Sequence, residues 1–556
     1  MIRQHDGKHI PVLASLEILL LFLIVCPLIT IFIKAVIIND RLDFSLVTAT
    51  LMESDNITMI VNSIVLGLWV VVISTLIAIP LAYLFSRTTF AKYKFFDIIF
   101  LIPFMTPPYI ASMGWILCMQ KRGLLGQLCP TLFSDGIPAF FTLAGLVLVM
   151  SLHVFPFMMI LMKNAMLHVP ASLEESATIF GAGFIQRMRK IFFPLLTGNY
   201  VIGALLVFVK TLSEYGTPYT LGRRIGYAAF TTDIHRYAAI APISFGKAAV
   251  LSSVLITICL LLWVLQNYIT THRSYNLING KGSAAVIHPL PVLKKYCAWI
   301  YIVVILFIAI GIPYFSVITT SLIHLRGYGI AAGNFTFSHY YELFTSNTYA
   351  IQALTNSLFL AVTAATIGAA AGTLIVLAVR RYRHHNGKVL EAVSLLPEML
   401  PGIVLVIGIM LFWNDIYDIL PVYNTMGIMI ITYVVLFLPY SVQYVTSSFT
   451  QINASLLTAG QVFGGSHFYI FRKITLPLIL KGVAAGWMMT FIISIRELVA
   501  PSLIAPPNVL VISTFIMREF EQGSVSLGMA LAALCVAFTV IPLLVLNKYI
   551  DTQYKA

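Results

Sequence analysis

The chain has 556 residues, 59% of them hydrophobic and only 10% charged, with a mean hydropathy of +0.93. A soluble protein carries about a quarter charged residues, so the composition excludes a water-soluble globular domain and makes lipid the solvent of most of the chain. The net charge of +13 reads as topology rather than nucleic-acid binding, because most of the Lys and Arg fall in alternate loops, the positive-inside pattern that places both termini in the cytoplasm.

Apolar runs of about 20 residues, the length that crosses a bilayer as helix, predict an all-α polytopic membrane protein. The twelve expected spans are 12–34, 57–86, 96–119, 138–163, 195–221, 244–270, 294–320, 350–379, 389–412, 423–447, 478–504 and 525–548. The first exceeds a signal-peptide core and lacks a small-residue cleavage site, so it reads as a retained helix. The segments 101–140 and 395–425 have room for short re-entrant pieces. Between spans six and seven, THRSYNLINGKGSAAVIHPLP is polar and punctuated by Gly, Ser and Pro, the composition of a linker.

That linker, taken as 276–292, separates two copies of one six-helix module, 1–275 and 293–556. Asn62-Ser63 opens span two as Asn356-Ser357 opens span eight, and Pro103 and Pro107 match Pro397 and Pro401 at the same offset of 294. From span four onward the offset is 283, pairing Pro156 with Pro439, Glu214 with Glu497 and Pro218 with Pro501. Repetition this regular marks duplication. Each module has an even number of spans, so the repeats run parallel, with the pathway between them.

Each module carries a polar, basic island between apolar runs. The first, 169–196, reads VPASLEESATIFGAGFIQRMRKIFFPLL, and the second, 452–479, reads INASLLTAGQVFGGSHFYIFRKITLPLI. In the first, Ala171 to Phe180 predicts a short helix with Glu174 and Glu175 near its N-terminus, where the helix dipole favours anions. Gly181 and Gly183 then permit a sharp turn, and Pro194 opens the next membrane helix, where its missing N–H costs nothing. The plainer reading is a connecting loop, which two copies in register disfavour.

The spacing resembles the cytoplasmic signature loop of importer-type ABC transporter permeases: E-A-A, three residues, Gly, nine residues, Ile, two residues, Pro. Glu175, Ala177, Gly181, Ile191 and Pro194 carry it in the first copy, and Thr458, Ala459, Gly464, Ile474 and Pro477 in the second. Two fused modules are most similar to the iron(III)-type permeases. The resemblance implies a coupling loop, with Glu174 beside the motif, that docks on two copies of a separate ABC ATPase. It also implies an extracytoplasmic binding protein that delivers iron(III), and a location in the inner membrane. The second copy departs from the pattern, with Thr458 in place of Glu. Glu175→Ala is therefore expected to lower ATPase coupling more than Thr458→Ala in reconstituted transport, and equal effects would remove that asymmetry.

No GxxxxGK[ST] loop is present, so ATP belongs to the partner and the chain itself is no enzyme and binds no cofactor. The sequence defines no metal-ligand set; the six cysteines show no CxxC, and Cys118 and Cys129, flanking an outer loop, either pair or are unrelated. Charges inside spans cost about 2.5–3.5 kcal/mol each on insertion scales, which singles out Lys210, Glu214, Arg496 and Glu497. They are candidate pathway residues or intramembrane ion pairs, Lys210 and Glu214 being spaced to share a helix face. Asn62, Ser63, Asn356 and Ser357 read as interhelical hydrogen-bonding positions. After span five an outer segment carries Arg223, Arg224, Arg236 and Lys247. It reads as a solvated loop, a dock for an acidic surface, or a steering field for an anion. Within it His235 and Tyr237 are weak candidates for handling iron. A phosphorylated or phosphonate solute, and a parallel-repeat secondary transporter, stay open as alternatives.

Overall fold

The computed structural model describes residues 10–38, 41–272, 287–381 and 385–553. The expected all-α class holds, β structure among these residues being one two-residue ladder, Ile37–Ile38 with Arg41–Leu42, and two isolated bridges. The first half contains α1 (Ala14–Val36), α2 (Ser54–Arg87), a bent pair α3 (Phe95–Met105 and Pro108–Leu128), α4 (Leu143–Leu167), the short α5 (Ala171–Ile179), α6 (Phe184–Ser213), the short α7 (Phe230–Ala239) and α8 (Phe245–Thr271). The second half repeats the order as α9 (Val292–Leu322), α10 (Thr348–Arg380), a bent pair α11 (Gly387–Met399 and Gly402–Asp415), α12 (Met426–Thr450), α13 (Ala454–Val462), α14 (Phe468–Ile495), α15 (Ile512–Glu521) and α16 (Val525–Gln553). Among the described residues ten helices are long and apolar enough to cross a membrane, and twelve if each bent pair is one span. Most of the linker, 276–286, lies outside the described residues.

Prolines set the breaks. The two limbs of α3 meet at 86° and those of α11 at 111°, at Pro107 and Pro401, where a missing N–H and a ring clash end the first limb. The carbonyl four residues before Pro107, that of Pro103, is met by His153 Nδ1 of α4 at 2.9 Å. By contrast α2 runs on through Pro80. There the Tyr301 hydroxyl of α9 donates to Ile77 O at 3.0 Å, beside the Leu76 carbonyl that Pro80 leaves without its helical partner. In hydrocarbon such freed carbonyls need a protein donor.

Two expected spans shift. α6 and α14 begin at Phe184 and Phe468 and stop at Ser213 and Ile495, not at 195–221 and 478–504. Each passes through a π-helical turn, Met188–Phe192 and Phe471–Thr475, which carries the helix past Pro194 and Pro477. These prolines therefore sit inside a continuous helix, where the wide turn already leaves a hydrogen bond unmade. Further on, Pro218 and Pro501 belong to separate short helices, Pro218–Gly222 and Val499–Ile504.

The chain packs as two compact units that do not follow the sequence modules. One comprises residues 53–233, 257–342 and 519–556, and the other 1–52, 234–256 and 343–518. The core helices of the first module thus take α9 and α16 from the second, and those of the second module take α1 from the first. The contacts that allow this repeat. In one unit a Cβ on Gly114 of α3 would stand 2.6 Å from Pro313 O of α9, and in the other a Cβ on Gly408 of α11 would stand 2.8 Å from Pro27 O of α1. Gly114 and Gly408 are repeat equivalents at the offset of 294, so the same glycine seats the borrowed helix in both units. Gly114→Leu and Gly408→Leu are each expected to cost about 1–3 kcal/mol by overpacking against backbone that cannot withdraw. The check is the thermal midpoint of the purified protein in detergent, and an unchanged midpoint for both would dismiss the contact as incidental.

Candidate functional site

The two polar islands fold alike to the level of single hydrogen bonds. α5 ends at Phe180 and α13 at Phe463, and the next residues, Gly181 and Gly464, take φ of +77° and +78°. In the first copy Gly181 N–H donates to Thr178 O at 3.0 Å and Ala182 N–H to Ala177 O at 2.8 Å. In the second, Gly464 N–H donates to Gln461 O at 3.0 Å and Gly465 N–H to Gly460 O at 2.9 Å. This paired 5→2 and 6→1 closure is a Schellman motif, and its left-handed residue explains the glycine of the signature. The π-helical turn then leads into the span, with Arg189, Lys190, Arg472 and Lys473 exposed.

What the motif presents is apolar. Phe180 is 88% exposed and Phe463 89%, and Leu173, Ile179, Leu456 and Val462 are exposed with them. In each copy Leu precedes Phe by seven residues, two helical turns, so both lie on one face. Exposed apolar residues thus recur at matching positions of the two short helices. Residue reading fixed on Glu, Gly, Ile and Pro and missed them. The signal was present, because the offset of 283 places Leu173 on Leu456 and Phe180 on Phe463 within otherwise polar stretches.

The signature residues divide by role. Glu175, Thr458 and Ala459 are exposed, whereas Ala177, Ile191 and Ile474 are half-buried. Ile474 packs toward Gly460, where an added Cβ would stand 2.9 Å from its Cδ1. In the first loop Arg187 Nη1 instead donates to Thr178 Oγ1 at 2.7 Å, bracing the helix across its turn. Glu174 does not belong with the presented residues. It is 2% exposed, faces inward and bonds to Arg87 and His288. At 3.6 residues per turn it stands about 100° around α5 from Leu173 and so off the exposed stripe, and its burial sets it apart from the exposed residues of the loop with which it was grouped.

The pathway candidates are placed differently from their expected pairing. Since α6 ends at Ser213, Glu214 has extended backbone (φ −76°, ψ 134°) and no longer shares a helix face with Lys210. Its carboxylate accepts Thr217 N–H at 3.0 Å, and that of Glu497 accepts the N–H groups of Val499 and Ala500 at 2.9 and 3.1 Å. Arg496 is the residue at which α14 terminates. Both carboxylates thus cap the short helix that follows, where orphan N–H groups would otherwise go unmet. Thr231 Oγ1 donates to Glu214 O at 2.7 Å, and Ser513 Oγ makes the matching bond to Glu497 O. Ser63 accepts Phe230 N–H at 2.9 Å and Ser357 accepts Ile512 N–H at 2.8 Å, while Asn356 Nδ2 donates to Leu510 O at 2.9 Å. The Asn-Ser pairs therefore fasten the approach to α7 and α15, as hydrogen-bonding positions.

On the outer segment Arg223 lies 3.9 Å from Glu521, and Arg224 sits over the Phe520 ring at 5.1 Å. Partial burial, and then repulsion from Arg326, lower the pKa of Arg224 against the attraction of Glu521. Arg236 and Lys247 both lie over the Tyr237 ring, at 4.4 and 5.3 Å. His235 and Tyr237 are buried and so are not presented to an outer solute. Cys118 and Cys129 are both free thiols. Among the described residues no group of three or more His, Cys, Asp or Glu could hold a metal ion.

Ten to twelve candidate spans among the described residues, in two like-folded halves that each carry a polar loop with an exposed apolar stripe, are the architecture of a duplicated membrane subunit. The chain belongs to the family of binding-protein-dependent transport system inner membrane components, whose model matches residues 54–274 and again 366–555. It is 24% identical to a ferric transport system permease protein of Actinobacillus pleuropneumoniae, over 96% of this chain and 77% of that one. It is 25% identical to an Fe(3+)-transport system permease protein of Haemophilus influenzae, over 84% of this chain and 85% of that one. A spermidine/putrescine transport system permease of Haemophilus influenzae is 27% identical, covering 44% of this chain and 91% of its own length. The chain is a multi-pass permease of the ABC importer class.

Proposed function

We propose that this chain forms both halves of the translocation pathway for iron(III), delivered by an extracytoplasmic binding protein, and that α5 and α13 each dock one copy of a cytoplasmic ATPase subunit. Both termini and both loops lie on the cytoplasmic side in this reading, which the basic bias of the alternate loops supports. The observation that carries it is the repeated loop, in which two identical turns expose Leu173 with Phe180 and Leu456 with Phe463. A secondary transporter needs no such pair. Iron(III) is favoured over a phosphonate or a phosphorylated anion because the relatives that span both modules carry ferric transport in their names. The named polyamine relative spans less than half of the chain. The test is uptake of radioactive iron(III) into proteoliposomes containing this chain and its ATPase, with the binding protein outside. Uptake that needs all three components and stops with vanadate is expected, and uptake without ATPase would overturn the reading.

A further inference from the structure

Glu174 sits on a helix whose other face is displayed, and it is nonetheless buried, so the structure must supply a reason for its charge. Arg87, the last residue of α2, is 0% exposed and lies beneath α5. Its Nη1 is 3.4 Å from Glu174 Oε2, its Nη2 donates to Val169 O at 2.7 Å and also to Met166 O, and its guanidinium stands 5.2 Å from the Phe192 ring centroid. One side chain thereby touches the ends of α2 and α4, the start of the loop, α5 and the π-helical turn. The second carboxylate oxygen is taken by His288, whose Nε2 lies 2.6 Å from Glu174 Oε1. His288 belongs to the linker between the modules, and its backbone N–H donates to Arg87 O at 2.8 Å in a parallel bridge beside Thr88.

We propose that Arg87, Glu174 and His288 form a clasp through which the inter-module linker holds the first docking helix in position, as positioning residues. The fold of the loop does not need it. The second copy makes the same turn with Leu457 at the position equivalent to Glu174, and a buried ion pair is no more stabilising than apolar packing of similar volume. What the clasp adds is a fixed orientation, since a carboxylate held from two sides has one geometry that satisfies both donors. The linker that supplies His288 occurs only between the modules, so the two docking helices are held by different means.

The consequence for coupling rests on the proposed docking role of α5, and the experiment separates the two. The full chain is reconstituted with its ATPase and binding protein. Amide exchange in α5 and α13, retention of the ATPase, and iron taken up per ATP hydrolysed are then read on the same samples. Loss of a charge-assisted hydrogen bond in His288→Ala is expected to raise exchange in α5 roughly tenfold or more and to leave α13 unchanged. It should also lower uptake per ATP severalfold while the ATPase stays bound. His288→Gln, which keeps an N–H donor, is expected to restore both. Arg87→Met with Glu174→Leu, which removes both buried charges and keeps their volume, should reproduce the loss in a chain that still folds. Unchanged α5 exchange in both His288→Ala and this double variant overturns the clasp. Faster α5 exchange with normal uptake per ATP keeps the clasp as a structural tie and overturns its role in coupling. Failure of the docking reading shows separately, as an ATPase that does not bind the unaltered chain.

Discussion

Phe180→Ser together with Phe463→Ser abolishes ATP-driven uptake while the permease remains folded in the membrane. Both rings are almost wholly exposed and make no internal packing to lose, and surface substitutions of that kind change fold stability by about 0.5 kcal/mol or less. In the proposed docking, their value lies in a partner. Aromatic side chains that fill a partner's pocket cost about 2–4 kcal/mol each on truncation, which weakens binding roughly 30- to 1,000-fold per site. The double variant is therefore expected to lose copurifying ATPase and vanadate-sensitive uptake, with an unaltered melting midpoint. Each single variant should retain one docked subunit. A double variant with wild-type ATPase retention would show that the stripe is not the contact.

Arg87→Ala is expected to have the largest effect on stability of any single change in the first loop. It takes the guanidinium from a carboxylate that is itself buried and leaves it His288 alone, and breaking a buried pair from one side costs about 3–5 kcal/mol. Val169 O and Met166 O lose their donor in the same step. The double variant Arg87→Met with Glu174→Leu removes both charges and keeps their volume, so it should recover most of the loss. The thermal inactivation midpoint of the four proteins of the cycle checks this. If Arg87→Ala alone melts like the wild type, the Arg87–Glu174 pair does not hold the first loop in place.

Much of this molecule is legible in its residues because membrane helices obey a simple rule. Apolar length fixes span count, and the offsets of 294 and 283 fix which positions correspond. The left-handed turn at Gly181 and Gly464 and the breaks at Pro107 and Pro401 follow from glycine and proline alone. Exchange of α1 and α9 between the sequence modules is not legible, since Gly114 and Gly408 look like any small residue in a span until Pro313 and Pro27 stand beside them. The placement of Glu214 is hidden in the sequence for a related reason. Charge spacing suggested a pair with Lys210, but the helix stops at Ser213 and the carboxylate turns to the nearest unmet N–H groups. Glu174 shows the same limit most clearly. It adjoins Glu175 in sequence, yet Glu175 is exposed and Glu174 faces Arg87, a difference that a helix of nine residues creates by rotation alone.

Whether each loop holds its own ATPase subunit is measured directly by native mass spectrometry of the purified complex. One copy of this chain should carry two ATPase subunits, falling to one in Phe180→Ser or Phe463→Ser and to none in the double variant. A complex with a single ATPase on the unaltered chain, or two retained in the double variant, would contradict it.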